Sequence, residues 1–117
     1  MKKTARLSAI VLGALSILLT TAQPVLAQSS TKEFGTSDTD TVNATAVDST
    51  GVYLVGSTSG AFQGQTNAGE GDAFIRKYDF SGNTLWTRQF GYAGTDIALS
   101  VATDDTGVYV GGDRRMN

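Results

Sequence analysis

Beyond its first 27 residues this 117-residue chain reads as all-β. Three observations predict that class: a gap-free internal repeat at an offset of 56 residues, three turns of one chemical type, and apolar positions that alternate with polar ones without helical periodicity. The repeat is visible in two blocks. Phe34-Gly-Thr-Ser-Asp-Thr-Asp40 recurs as Phe90-Gly-Tyr-Ala-Gly-Thr-Asp96, and Ala46-Val-Asp-Ser-Thr-Gly-Val-Tyr-Leu-Val-Gly56 recurs as Ala102-Thr-Asp-Asp-Thr-Gly-Val-Tyr-Val-Gly-Gly112. The matched residues are aromatic, acidic, hydroxylic and glycine in turn, so composition bias does not produce them.

Residues 1–27 stand apart as a predicted helical secretory signal peptide. Lys2, Lys3 and Arg6 make a basic start, Leu7 to Leu19 is mostly apolar, and Val25-Leu26-Ala27 presents small side chains for cleavage before Gln28. A run of about 13 apolar residues spans roughly 20 Å as a helix, short of the roughly 30 Å of a bilayer core, so no membrane span is expected after cleavage. Lys-Lys in place of Arg-Arg favours export of the unfolded chain. Removal of the leader takes three of nine basic residues and none of the eleven acidic ones, leaving a net charge of about −5. The predicted destination is the periplasm, the cell surface or the medium.

Residues 28–33 read as a short linker and 34–117 as the repeat region. Asp48-Ser-Thr-Gly51, Asp79-Phe-Ser-Gly82 and Asp104-Asp-Thr-Gly107 share the pattern Asp-x-(Ser/Thr)-Gly, in which Asp accepts backbone hydrogen bonds and Gly is expected to supply a positive φ. Each turn predicts a hairpin. The first joins Val42–Val47 to Val52–Ser57, the second Ala73–Tyr78 to Thr84–Phe90, and the third Ile97–Thr103 to Val108–Gly111. Phe74 and Tyr78 share a face with Arg76 between them, as Trp86 and Phe90 do around Arg88. The Gly-rich stretch Thr58 to Gly71 becomes the long connection.

Four short antiparallel strands in a period of this length have the dimensions of one propeller-type blade, followed here by the first hairpin of a second. The stretches Asp48-Ser-Thr-Gly-Val-Tyr-Leu-Val-Gly-Ser-Thr58, Gly71-Asp-Ala-Phe-Ile-Arg-Lys-Tyr-Asp79, Ser81-Gly-Asn-Thr-Leu-Trp-Thr-Arg-Gln-Phe-Gly91 and Thr95-Asp96 resemble the bacterial β-propeller repeat called the SBBP repeat. The resemblance covers Phe34 to Gly112. It implies an exported or surface protein of several blades with no assigned reaction, of which this chain is a truncated or naturally short member. One and a half blades are expected to leave Phe74, Tyr78, Trp86 and Phe90 short of cover, which points to self-association or to blades supplied by other chains.

The chemistry expected of the chain is limited by what it lacks. Without Cys there is no disulfide, thiolate nucleophile or cluster ligand, and without His no imidazole base and no ordinary zinc site. The net negative charge argues against nucleic acid as a partner. Asp38, Asp40, Asp48, Asp79, Asp104 and Asp105 could place oxygens around calcium, yet the turn pattern explains its own Asp residues and no twelve-residue calcium loop is present. Asp40 and Asp96, equivalent in the repeat, are expected to bond backbone amides. Gly56-Ser-Thr-Ser-Gly60 lacks the strand-to-helix turn of a nucleophile elbow, and Gly69-Glu70-Gly71 lacks the Lys of a phosphate loop. Trp86 with Tyr78, Phe74 and Phe90 is either an aromatic ligand platform or filling between sheets. Arg76, Lys77 and Arg88 suggest cation-π pairs. Asn43-Ala44-Thr45 fits the glycosylation pattern.

No catalytic, cofactor-binding or metal residue is assigned on this basis. The expected function is that of a secreted, non-catalytic β-propeller repeat module that binds an extracellular ligand or acts as a scaffold. Two alternatives stay open: a propeller-type hydrolase or lyase using carboxylates such as Asp40 and Asp96, and a fragment without an activity of its own.

Overall fold

The computed structural model describes residues 5–11 and 28–116. Among these residues eight strands form three antiparallel sheets: β1 (Ala5–Val11) with β2 (Gln28–Phe34); β3 (Asp40–Asp48), β4 (Gly51–Thr58), β5 (Asp72–Tyr78) and β6 (Thr84–Phe90) in sequence order; and β7 (Thr95–Asp104) with β8 (Gly107–Arg115). The chain is all-β throughout the described residues, with one complete four-stranded sheet and one further hairpin. All six strands predicted from the turns are present, one with the same bounds and five longer by one to five residues. Within the predicted leader, Ala5–Val11 is a strand and not a helix. Its backbone groups are satisfied by β2, with Ala5 opposite Phe34 and Val11 opposite Gln28, so no internal helical bonds are required. Residues 1–4 and 12–27 of that leader lie outside the described residues.

The structure extends the repeat to a third strand pair. β2 and β6, and β4 and β8, begin 56 residues apart, and β3 and β7 begin 55 apart. Local irregularity repeats with them: a β-bulge falls between Val42 and Ala44 in the first copy and between Ala98 and Ser100 in the second. Three turns of similar sequence nevertheless divide into two kinds. Asp48 pairs directly with Gly51 and Asp104 with Gly107, so both glycines open an outgoing strand instead of shaping the turn. Gly82 at φ 84° and Gly51 at φ 159° have the positive φ expected of the turn glycine, and of these only Gly82 lies in the left-handed region. At the Asp79 turn the loop is longer, closing through Asp79 N donating to Asn83 O at 2.9 Å.

β4 lies inside the sheet and is buried on both faces almost along its length. On one face Leu54, Phe74 and Tyr78 pack with Phe34 and Phe62. On the other, Tyr53, Val55, Ala73 and Ile75 pack with Ala98 of the second hairpin, with Trp86, Val101 and Val108 at the margin. Phe74 and Tyr78 are therefore well covered, contrary to the expectation. The cover comes from Phe62, on the loop between β4 and β5, and from Phe34 at the end of β2. Phe62 and Phe74 meet edge to face with centroids 4.9 Å apart. The Arg76 guanidinium closes this cluster, 5.0 Å above Phe34, 5.6 Å from Phe62 and 5.5 Å from Tyr78. Trp86 is half-buried and Phe90 is exposed, as the shortage of cover predicts for those two.

Phe74 is fully buried at the centre of this aromatic cluster. Phe74→Ala is expected to lower the free energy of unfolding by about 3–5 kcal/mol, the range for removing a buried Phe. Urea denaturation followed by tryptophan fluorescence measures it, with an unchanged m-value marking a loss of stability alone.

Candidate functional site

Two carboxylate motifs recur in both copies. In the first, an Asp at the start of a strand reaches back over the preceding loop: Asp40 Oδ2 accepts from Thr36 N at 2.7 Å, and Asp96 Oδ2 accepts from Tyr92 N at 2.8 Å. In the second, the turn Asp accepts three donors. Asp48 Oδ1 takes Thr50 N and Thr50 Oγ1 at 2.7 Å and Gly51 N at 3.0 Å, and Asp104 Oδ1 takes Thr106 N, Thr106 Oγ1 and Gly107 N at the same distances. A residue that is short and acidic at these places satisfies amides that the turn would otherwise leave bare.

Bonds of this kind hold Asp48, Asp79, Asp96 and Asp104 in their ionised form. The Thr50 hydroxyl, followed by its amide and the Tyr53 hydroxyl, takes Asp48 from its ordinary 3.8 to about 2. Asp104 is lowered foremost by the Thr106 hydroxyl, Asp79 by the Asn83 side chain, and Asp96 by the Tyr92 amide with the Arg114 guanidinium second. All four are acceptors at neutral pH and not proton donors. Burial raises the Tyr78 hydroxyl.

An open cavity of about 620 Å³ lies between the end of β6 and the β7–β8 hairpin. Phe90, Ile97, Ala98 and Val110 give it an apolar floor, and Asp96 and Arg114 a polar rim. Arg114 Nε donates to Asp96 Oδ1 at 2.9 Å while its guanidinium lies 4.2 Å from the Tyr92 ring centroid. Behind the rim stands Asp72, fully buried on β5. Its Oδ2 accepts from Ala68 N and Gln89 Nε2, whereas its Oδ1 has no hydrogen-bond partner. Asp72 Oδ1 and Asp96 Oδ2 converge over Gly91, each 2.8 Å from the point a Cβ there would occupy. Only glycine leaves room for the two carboxylates at this place.

The carboxylate set beside Asp96 is thus Asp72, and Asp40 does not line this cavity. A second cleft, of about 410 Å³, brings the turns at Asp48 and at Asp104-Asp105 together. Asp48 and Asp104 have each spent Oδ1 on their own turns, and among the described residues no group of three or more acidic side chains is placed to hold a metal ion. Asp38 accepts weakly from Ser37 Oγ at 3.4 Å on the exposed side of its loop. Thr58 is buried, its Oγ1 accepting from Gly60 N. Glu70 N and Gly71 N both donate to Gly94 O, fastening the long loop to β7. Asn43 Nδ2 donates to Ala98 O at 2.8 Å, tying the first bulge to the second hairpin. Trp86 packs against Tyr53, with ring centroids 6.1 Å apart. Lys77 Nζ sits 4.6 Å over Tyr53 and also donates to Thr50 Oγ1 at 2.5 Å.

Asp72 and Arg114 of this site escape sequence reasoning, as does Phe62 of the aromatic cluster. The only advance signal for Phe62 is that it is the one aromatic in a polar, Gly-rich loop. Neither the models of known protein families nor the curated proteins contain a match to this chain.

The two carboxylates over Gly91 are expected to respond oppositely to neutralisation. Asp96→Asn loses the charge-assisted bond from Arg114 and lowers the melting temperature by a few degrees, while Asp72→Asn turns the unpaired oxygen into a donor facing Asp96 and leaves the melting temperature level or raises it. Scanning calorimetry distinguishes the two. The turn carboxylates predict the pH response. Because Asp48, Asp79, Asp96 and Asp104 have folded values below the unfolded 3.8, their stabilisation is complete above about pH 5 and is lost as pH falls through the folded values, about 2 for Asp48. Melting temperature against pH should be level from 7 to about 5 and fall steeply below about 4, with a smaller fall in Asp48→Asn.

Proposed function

We propose that this chain is an exported, non-catalytic repeat module of the β-propeller type, related to the SBBP repeat, whose role is to bind or to scaffold. The observation that carries this reading is the exactness with which β7–β8 repeats β3–β4, bulge, turn clasp and Asp-to-amide bond included, while lying across the face of the preceding sheet through Ala98. Side-by-side repetition of one sheet unit is how modular β-proteins build a surface. The carboxylates support the same reading, since they are used as structural acceptors and four of them are held ionised. Cleavage before Gln28 would remove β1 and free the edge of β2, leaving Phe34 to anchor that strand on the aromatic cluster.

Expression with the native leader tests export and chemistry together. The expected product lies outside the cytoplasm with Gln28 at its N-terminus by mass spectrometry, and shows no turnover of glycoside, ester or polyuronate substrates. Turnover by the wild type that disappears in Asp96→Asn at an unchanged melting temperature overturns the non-catalytic reading, and a product that keeps Met1 overturns export.

A further inference from the structure

The internal repeat shows what each part of the second copy packs against when its place in the sheet is filled. Phe34, 7% exposed, is buried in the aromatic cluster, whereas its equivalent Phe90 is 45% exposed. Tyr53, 6% exposed, lies beneath Lys77, whereas its equivalent Tyr109 is 55% exposed. One part of the difference lies at the sheet edge. The outer edge of β4 is paired with β5, and among the described residues no strand pairs with the outer edge of β8.

The 620 Å³ cavity gains a meaning from the same comparison. Its Phe90, Ala98 and Val110 are the equivalents of Phe34, Val42 and Leu54, which in the first copy surround Phe74. The cavity is therefore the second copy of an aromatic pocket, open where the first is filled. We propose that this cavity and the outer edge of β8 form a docking site for a β-strand of another polypeptide, one carrying an aromatic residue three positions before a lysine, as Phe74 and Lys77 stand on β5. The proposal rests on the repeat-module reading and adds the place and the chemistry of the partner.

Charge complementarity sets the direction of that strand. Pairing in the register of β4 with β5 puts Lys77 opposite Tyr53, Phe74 opposite Gly56 and Asp72 opposite Thr58. Carried to β8, the same antiparallel register places the incoming lysine opposite Tyr109 beside the acidic turn Asp104-Asp105, and the aromatic opposite Gly112 over the cavity. It places the acidic residue opposite Arg114, whose side chain is 47% exposed. The acidic end of β8 thus meets a base and its basic end an acid. Main-chain bonds along the edge supply affinity, and the aromatic pocket and the two charges select the sequence.

The test uses the full 117-residue chain and, as probe, a fluorescent synthetic peptide of residues 70–91, the β5–β6 hairpin. Anisotropy titration is expected to saturate, with amide hydrogen exchange slowed at Val108 to Gly112. In the peptide, Phe74→Ala and Lys77→Glu are each expected to weaken binding, the first by about tenfold or more as for a buried aromatic anchor. Tyr109→Ala and Val110→Glu in the chain, both at exposed positions, do the same from the other side. Absence of binding, binding without protection of β8, or equal binding of the altered peptides overturns the proposal. Protection of β8 that rises with protein concentration in the absence of peptide, together with a doubled mass by light scattering, overturns it in favour of a second copy as the occupant. A chain that lacks turnover yet ignores the peptide removes the docking site and leaves the non-catalytic reading standing.

Discussion

The constraint on which the rest of this structure depends is that β4 is buried on both faces. Its run Val52-Tyr-Leu-Val55 places one pair of side chains on each side of the sheet, so two separate sets of residues must exclude water from it. One set is aromatic and comes from outside the sheet, from the end of β2 and from the loop after β4. The other is the hairpin of the next repeat. Neither face is completed by the sheet's own strands, which explains why the 59–71 loop is fastened at Gly94 and why Asn43 reaches across to Ala98.

Cations cap both faces. Arg76 spreads over three rings on one side, and Lys77 lies over Tyr53 on the other. Neighbours in sequence on one strand point to opposite faces, so a single Arg-Lys pair serves both clusters. The arrangement lets an aromatic core end at the solvent boundary without exposing ring faces. Tyr109 and Phe90, beside which no such strand lies among the described residues, are exposed, so equivalent sequence units make a core in one copy and a surface in the other.

The acidic residues follow a parallel logic. Asp48 and Asp104 satisfy amides two or three residues after them, and Asp40 and Asp96 an amide four residues before, so the role of each is local and repeats because the local geometry repeats. Asp72 differs. It is wholly buried, half satisfied and set beside Asp96, a pairing made by the approach of β7 to β5 and by the absence of a side chain at Gly91.

The sequence by itself determined the strands, the turns, the 56-residue equivalence and the amide-bonding role of the repeated acids, because all of these arise from residues within a few positions of one another. It also carried the alternation that puts Phe74, Arg76 and Tyr78 on one face. Only the tertiary structure decided which face was covered and by what. Phe62 looks like a loop residue, Arg114 like part of a ragged end and Asp72 like the start of a strand until distant segments meet. The exposure of Phe90 and Tyr109, equivalent in the repeat to buried Phe34 and Tyr53, makes the physical reason plain: turn chemistry and alternation are local, whereas burial depends on whether neighbouring segments are present to exclude water.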